Sequence, residues 1–275
     1  MDEIIRKRHI ISSKELFCIM DKENIKILDT RWSIDPKIKS LNIYNKQHLP
    51  NALFFDLEFF SNSNSDLPHM LPSKSFFDKE ISKIGIETND KIVIYDQNGY
   101  FSSCRIWFMF KIFGHKDVLI LDGGMNDWVK NNMLITNKKT EFEVSNYKSK
   151  FSFEKIVTKL EVKESLRNND YMIVDARPKN RFEGVDQEPR KGLKKGNIES
   201  SINIPFNAIH DSNGFLLNSK NLKDLFFKEN KLENKKVIAT CGSGITACNI
   251  IFGLSIIDNN NVYLYDGSWA EWGKY

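Results

Sequence analysis

Lys235-Lys236-Val237-Ile238-Ala239-Thr240-Cys241-Gly242-Ser243-Gly244-Ile245-Thr246-Ala247-Cys248-Asn249-Ile250 decides how the rest of the chain is read. Val237, Ile238 and Ala239 form a short apolar, partly β-branched run of the kind used by a buried parallel strand, and small and aliphatic residues from Thr246 onward predict a helix. Cys241 sits between them, at the C-terminal tip of the strand. Two glycines follow within three residues, so backbone N–H groups can gather around the sulfur with the positive end of the helix behind them. Such surroundings favour thiolate over thiol, and the stretch therefore presents a nucleophile.

Other readings of these residues compete with that one. The glycines and Ala247 fit the Gly-x-Gly-x-x-Ala of dinucleotide sites, but that unit opens its domain and needs an acidic residue about 20 positions on. Only Asp258, in an Asn-rich loop, is near. A Cys-x5-Arg phosphatase loop needs an arginine where Ala247 stands. The plainest alternative is a small cysteine packed in a tight turn, and the two glycines weigh against it.

The same strand-end logic recurs along the chain. A strand from Ile25 to Leu28 runs into Asp29-Thr30-Arg31, and one from Tyr171 to Val174 runs into Asp175-Ala176-Arg177, 146 positions later. A strand ending at Tyr95 meets Asp96, and the strand ending at Thr240 meets Cys241, 145 positions later. Asp122-Gly123-Gly124 with Trp128 matches Asp266-Gly267-Ser268 with Trp272 at an offset of 144. Several matches in order at one offset indicate duplication. The expected fold is therefore α/β, with two tandem homologous domains, residues 1–145 and 146–275, each a mostly parallel sheet flanked by helices. The polar stretch from Lys138 to Lys155 is the expected linker. Ligands of such sheets bind beyond the carboxyl ends of strands, where Asp96 and Cys241 stand in their respective domains. Only the second domain has the nucleophile.

Composition narrows the function. With 275 residues the chain is long enough for two cores, and 41% apolar and 28% charged residues are ordinary for a soluble protein. The formal charge of +4 is spread over scattered basic residues, which gives no reason to expect nucleic acid. No stretch approaches the length of a membrane span. Cys18, Cys104, Cys241 and Cys248 show neither metal-ligand spacing nor a secreted disulfide framework. The early acids of the N-terminus suit neither a secretory signal nor a transit peptide, so a reducing, cytoplasmic setting is expected. Cys18, Cys104 and Cys248 read as packed thiols.

Cys241-Gly242-Ser243-Gly244-Ile245-Thr246-Ala247 resembles the active-site loop of the two-domain rhodanese-like sulfurtransferases, in the form that uses 3-mercaptopyruvate; relatives that use thiosulfate carry a basic pair after the cysteine. The resemblance covers nearly the whole chain. Gln47-His48-Leu49-Pro50-Asn51-Ala52, His69-Met70-Leu71-Pro72 and Asp122-Gly123-Gly124 are similar to first-domain motifs of that family. Arg181-Phe182-Glu183-Gly184 and Glu188-Pro189-Arg190-Lys191-Gly192 are similar to two second-domain motifs that supply substrate arginines, and the Tyr265 to Trp272 segment is family-like as well. Asn197 and Glu199 depart from the expected His and Pro.

The resemblance implies sulfur transfer through a Cys241 persulfide, with Gly242, Gly244, Ile245 and Thr246 forming the loop around the substrate and with no metal or organic cofactor. Arg181 and Arg190 would hold an anionic α-keto acid, a task that suits planar, permanently charged, bidentate donors; either could instead be a solvated surface charge. Arg31 and Arg177 each follow a strand-end Asp and read as structural pairs. Ser243 and a first-domain histidine are implied to act with an acidic residue as a proton relay. His48 matches that histidine's motif, but Pro36 to Gln47 contains no Asp or Glu. His69 has the same ambiguity and weaker support. The implied acceptor is a small thiol or thioredoxin. A thiosulfate sulfurtransferase is the nearest enzymatic alternative, and a non-catalytic persulfide carrier the other class.

Overall fold

The computed structural model describes residues 2–22, 24–35 and 37–275. Strands β1 (Ile10–Ile11), β2 (Ile25–Asp29), β3 (Ala52–Phe54), β4 (Lys91–Tyr95) and β5 (Val118–Leu121) form one sheet in the order β1-β5-β4-β2-β3. Strands β6 (Ile156–Val157), β7 (Tyr171–Asp175), β8 (Ile202–Asn203), β9 (Lys236–Thr240) and β10 (Val262–Tyr265) form a second, in the order β6-β10-β9-β7-β8. Every pairing in both sheets is parallel. The two orders are one topology repeated. Register repeats too, for Asp29 pairs with Tyr95 and Asp175 with Thr240. Both strand-end acids thus stand beside the strand that leads into Asp96 or Cys241.

Local chemistry is duplicated with the topology. The Ser13–Ile19 helix starts on a capping box of Ser12 and Glu15, and the Lys159–Ser165 helix on one of Thr158 and Glu161. In each the hydroxyl accepts the third-residue N–H while the Glu carboxylate accepts the cap N–H, which satisfies two otherwise orphaned donors.

Two helices join the halves. Ser103–Ile112 and Ala247–Ile256 follow β4 and β9 respectively and pack against each other. All ten residues of the second are buried, as is expected of a helix apolar on every side. One continuous core therefore runs from Phe77, Phe110 and Phe113 of the first domain into Phe252, Ile250 and Phe226 of the second. The connecting segment lies extended along the first domain. Ser149 N–H donates to Asp78, Lys150 N–H to Phe113 O and Ser152 N–H to Ile112 O, and Tyr147 is buried against Phe77.

The polar contacts between domains follow the same twofold pattern. Leu71 N–H of the first domain donates to Asp266 of the second at 2.9 Å, and Leu216 N–H of the second donates to Asp122 of the first at 2.8 Å. Each domain thereby clasps the other's Asp-Gly motif.

Candidate active site

Cys241 follows β9 directly and is 2% exposed. The loop behind it is pinned by the start of the Ser268–Trp272 helix: Trp269 N–H donates to Cys241 O and Ala270 N–H to Gly242 O, while Ser268 Oγ accepts from both Cys241 N–H and Gly244 N–H at 3.1 Å. Gly244 has φ +78°, and a Cβ there would lie 2.6 Å from Asp266 Oδ1, so this turn admits glycine alone. Among the described residues no backbone amide donates to Cys241 Sγ, which corrects the expectation of a nest closed on the sulfur. The cause is Ser268, which draws two of the amides toward its own oxygen. The amides of Gly242, Ser243, Ile245 and Thr246 have no acceptor among the described residues and remain available to an anion.

The first-domain counterpart of this loop is closed. Asp96 occupies the position of Cys241, and its carboxylate accepts from the amides of Asn98, Gly99, Ser102 and Ser103. Gly124 stands where Ser268 does in the second domain, and a Cβ at Gly124 would lie 2.5 Å from Asp96 O. The closed loop excludes a side chain, whereas the open one accommodates serine.

Both predicted arginines reach the Cys241 loop. A Cβ on Gly242 would lie 3.0 Å from Arg181 Nη2 and 3.9 Å from Arg190 Nη1. Arg190 Nη2 is 3.5 Å from Ser243 Oγ, its one polar contact among the described residues. Burial lowers the Arg190 pKa, and the charge of Cys241 acts in the opposite direction. Arg181 is held instead by Glu188, whose buried carboxylate accepts from Arg181 Nη2 at 2.6 Å and from Arg177 Nη1 at 2.7 Å. Arg177 in turn forks onto Asp175, and Arg31 onto Asp29, the two structural pairs read from the sequence. Burial disfavours the Arg177 charge, but Asp175 and Glu188 outweigh it and hold the pKa above the usual value.

The histidine of the site is His69. Its Nδ1 lies 2.8 Å from Ser243 Oγ and its Nε2 3.0 Å from Glu58 Oε1. A carboxylate only accepts, so Nε2 carries the hydrogen and Nδ1 accepts from the serine hydroxyl. Trp32 Nε1 also donates to Glu58 Oε1 at 2.9 Å, and the Trp32 ring meets His69 edge to face. The hydrogen bond from His69 holds the Glu58 carboxyl below its usual pKa. Ser243, His69 and Glu58 thus form one hydrogen-bonded chain, from the loop across the domain junction.

His48 is not in it. It is fully buried in the first domain, stacked on Tyr44, with Nδ1 2.7 Å from Tyr44 O and Nε2 3.0 Å from Lys138 O. Its backbone pairs with Thr136 and fixes the end of the first domain rather than the catalytic loop. Glu58, 11 residues before His69, was missed because nothing in its local sequence separates it from a solvated acid.

Arg105 was missed as well. It is wholly buried in the first-domain helix, 2.8 Å from Asp266, and donates to His69 O at 2.6 Å and to Gly244 O at 3.3 Å. One guanidinium therefore fixes His69, the catalytic turn and the clasped Asp266 together. Of the remaining thiols, Cys104 and Cys248 are buried, and burial pushes the Cys248 thiol up to about 12 and Cys104 well above its ordinary value. Cys18 is exposed, contrary to its reading as packed, because Leu16 and Met20 take the inward face of its helix. Among the described residues no group of three or more His, Cys, Asp or Glu is arranged to hold a metal, and no helix is long and apolar enough to cross a membrane.

Comparison with known proteins places this geometry. The 3-mercaptopyruvate sulfurtransferase of Mus musculus is 36% identical over 253 residues, covering 90% of this chain and 84% of that protein. Thiosulfate/3-mercaptopyruvate sulfurtransferase 2 of Arabidopsis thaliana is 35% identical over 285 residues, covering 96% and 83%. The crystal structure of SseA from Escherichia coli, described with the "rhodanese" fold and mechanism of 3-mercaptopyruvate sulfotransferases, superposes with a TM-score of 0.87 at 31% identity, covering 95% of this chain and 99% of that one. The rhodanese-like domain model matches residues 12–131 and again 158–275, one match on each sheet with its helices, and the chain belongs to that family.

Proposed function

We propose that the protein is a 3-mercaptopyruvate sulfurtransferase in which Cys241 carries the sulfur as a persulfide. The observation that carries the reading is the convergence on one loop of a cysteine, two guanidinium groups and the Ser243–His69–Glu58 path. The donor's carboxylate meets Arg190, which pairs with no carboxylate among the described residues, and the remaining face of Arg181. The Cys241 thiolate attacks the donor sulfur. The carbon–sulfur bond breaks with its electron pair toward carbon, giving the enolate of pyruvate.

The proton balance suits the relay. The donor's thiol proton is taken by Ser243 Oγ as the serine's own proton moves to His69 Nδ1, and the same pair returns a proton through Ser243 to the enolate carbon, after which pyruvate leaves. Amides of the loop without partners receive the anionic outer sulfur; loss of one such donor typically costs about 3 kcal/mol in a transition state. An acceptor thiolate then attacks the outer sulfur and releases the Cys241 thiolate, which closes a ping-pong cycle. A small thiol or thioredoxin is the proposed acceptor, in the reducing, cytoplasmic setting that free thiols suit.

The test is pyruvate release from 3-mercaptopyruvate with excess thiol, beside a thiosulfate and cyanide assay. Wild type is expected to favour mercaptopyruvate, Cys241→Ser to lose at least about a thousandfold of that activity, and Arg190→Ala to raise KM. Absence of turnover with either donor, together with persulfide acceptance from a desulfurase, would replace the enzyme by a carrier.

A further inference from the structure

Glu188 is the buried acid behind the arginines of the Cys241 loop. Its side chain is 2% exposed, and its two oxygens serve different partners. Oε1 accepts from Arg177 Nη1 at 2.7 Å, and Oε2 accepts from Arg181 Nη2 at 2.6 Å. Arg177 also forks onto Asp175. Two acids and two bases therefore form one closed set, joined by charge-assisted hydrogen bonds, and their charges cancel.

The first domain shows that the fork is complete without such an acid. Arg31 grips Asp29 as Arg177 grips Asp175, and donates to Gln47 O as Arg177 donates to Gly196 O. Among the described residues no second carboxylate pairs with Arg31. What the second domain adds is Glu188 and, bound to it, Arg181, whose Nη2 lies 3.0 Å from the place a Cβ on Gly242 would take. Glu188 thus belongs to the charge balance of the Cys241 loop.

That balance leaves no surplus. Arg190 has Ser243 as its one polar contact among the described residues, and the charges acting on it are those of Cys241, Arg181, Glu58 and Glu188. Arg105 is matched by Asp266. Glu183, Asp186, Lys191, Lys194 and Lys195 are exposed, where solvent and salt screen them. Arg177, Arg181 and Arg190 stand against Asp175, Glu188 and Glu58.

We propose that Glu188 is a specificity-determining residue: by cancelling the charge of Arg181 it leaves Arg190 as the guanidinium without a carboxylate, so that the site takes donors carrying one negative charge and discriminates against dianions. Arg181 keeps N–H donors for a carboxylate but brings no net charge. Glu188 can act in this way only where Arg181 and Arg190 hold the donor's carboxylate, the role proposed for them above.

Pyruvate and oxalate are the probes, small planar anions that carry one and two charges at neutral pH. Each is titrated at constant ionic strength as a protector of Cys241 against iodoacetamide, read on the Cys241 peptide by mass spectrometry so that the exposed Cys18 does not interfere. In wild type, pyruvate is expected to protect at the lower concentration. Glu188→Gln should raise the oxalate-to-pyruvate affinity ratio at least about tenfold, the order expected for one partly buried unit charge close to the anion. Arg181→Met should lower the ratio, and the double variant should return it to within about threefold of wild type, as two cancelling charges require. Glu183→Gln removes an exposed acid of the same segment and should leave the ratio unchanged. If Glu188→Gln does not fold, Arg181→Met and Glu183→Gln decide. A wild-type preference for oxalate, an unchanged ratio in Glu188→Gln or in Arg181→Met, an equal shift in Glu183→Gln, or a double variant that fails to return overturns the proposal and leaves the sulfurtransferase reading standing. No protection by either anion overturns both.

Discussion

At the scale of single residues, two histidines of similar sequence surroundings have opposite fates. His69 joins Ser243 to Glu58, whereas His48 is bonded between two carbonyls of its own domain. Replacing His69 with alanine is expected to lower kcat by about 10²–10⁴, the usual worth of a placed acid–base group, with little change in urea midpoint. His48→Ala should do the reverse: near-normal kcat per folded molecule and a stability loss of about 1–3 kcal/mol from the polar groups left unpaired.

Glu58 adds a dependence on pH. Its carboxyl is depressed by the His69 hydrogen bond, so it is ionised throughout neutral pH, and any stability it contributes is present above the ordinary Glu pKa and lost as pH falls through the depressed one. Glu58→Gln should therefore slow turnover by the same factor at pH 6 and pH 8, with the difference from wild type shrinking only in acid. A factor that changed between pH 6 and pH 8 would show that another group orients His69.

At the scale of elements, the apolar runs set the four strands read from the sequence to within one residue of their final bounds, because strands buried on both faces leave little freedom in where they begin, while the other six strands were not delimited. The catalytic turn was legible for the same reason, since strand, glycines and helix are contiguous. Its two amides committed to Ser268 were not, because Ser268 arrives from 27 residues away. Glycines of the second domain separate local strain from crowding. Gly192 has φ +79° and nothing within 4 Å of the place a Cβ would take, so Gly192→Ala should cost about 1–2 kcal/mol from the left-handed backbone alone. Gly244→Ala adds a collision with Asp266 to the same φ, and is expected to lose more stability than that and most of the turnover, read by urea denaturation and the pyruvate assay.

At the scale of the whole molecule, the sequence revealed two domains but not how they meet. Arg181, Arg190 and Cys241 belong to one domain and were recognisable from its motifs, while Glu58, His69 and Arg105 enter the site only through the packing of one domain on the other. Arg105 concentrates that dependence. Arg105→Met leaves Asp266 as a buried charge without its ion-pair partner, for which about 3–5 kcal/mol is expected, and it releases His69 O and Gly244 O as well. Calorimetry should show a lower and less cooperative transition, with turnover reduced even where the protein stays folded.

The reciprocal clasps of Leu71 on Asp266 and Leu216 on Asp122 have an ancestral meaning. Two identical single-domain subunits exchanging such clasps would form a symmetric dimer with two equal centres, and every mutation would strike both. Fusion into one polypeptide breaks that constraint. One half can then carry Asp96 where the other carries Cys241 and keep its own loop closed, and it stays attached as the partner that a lone second domain would have to find by diffusion.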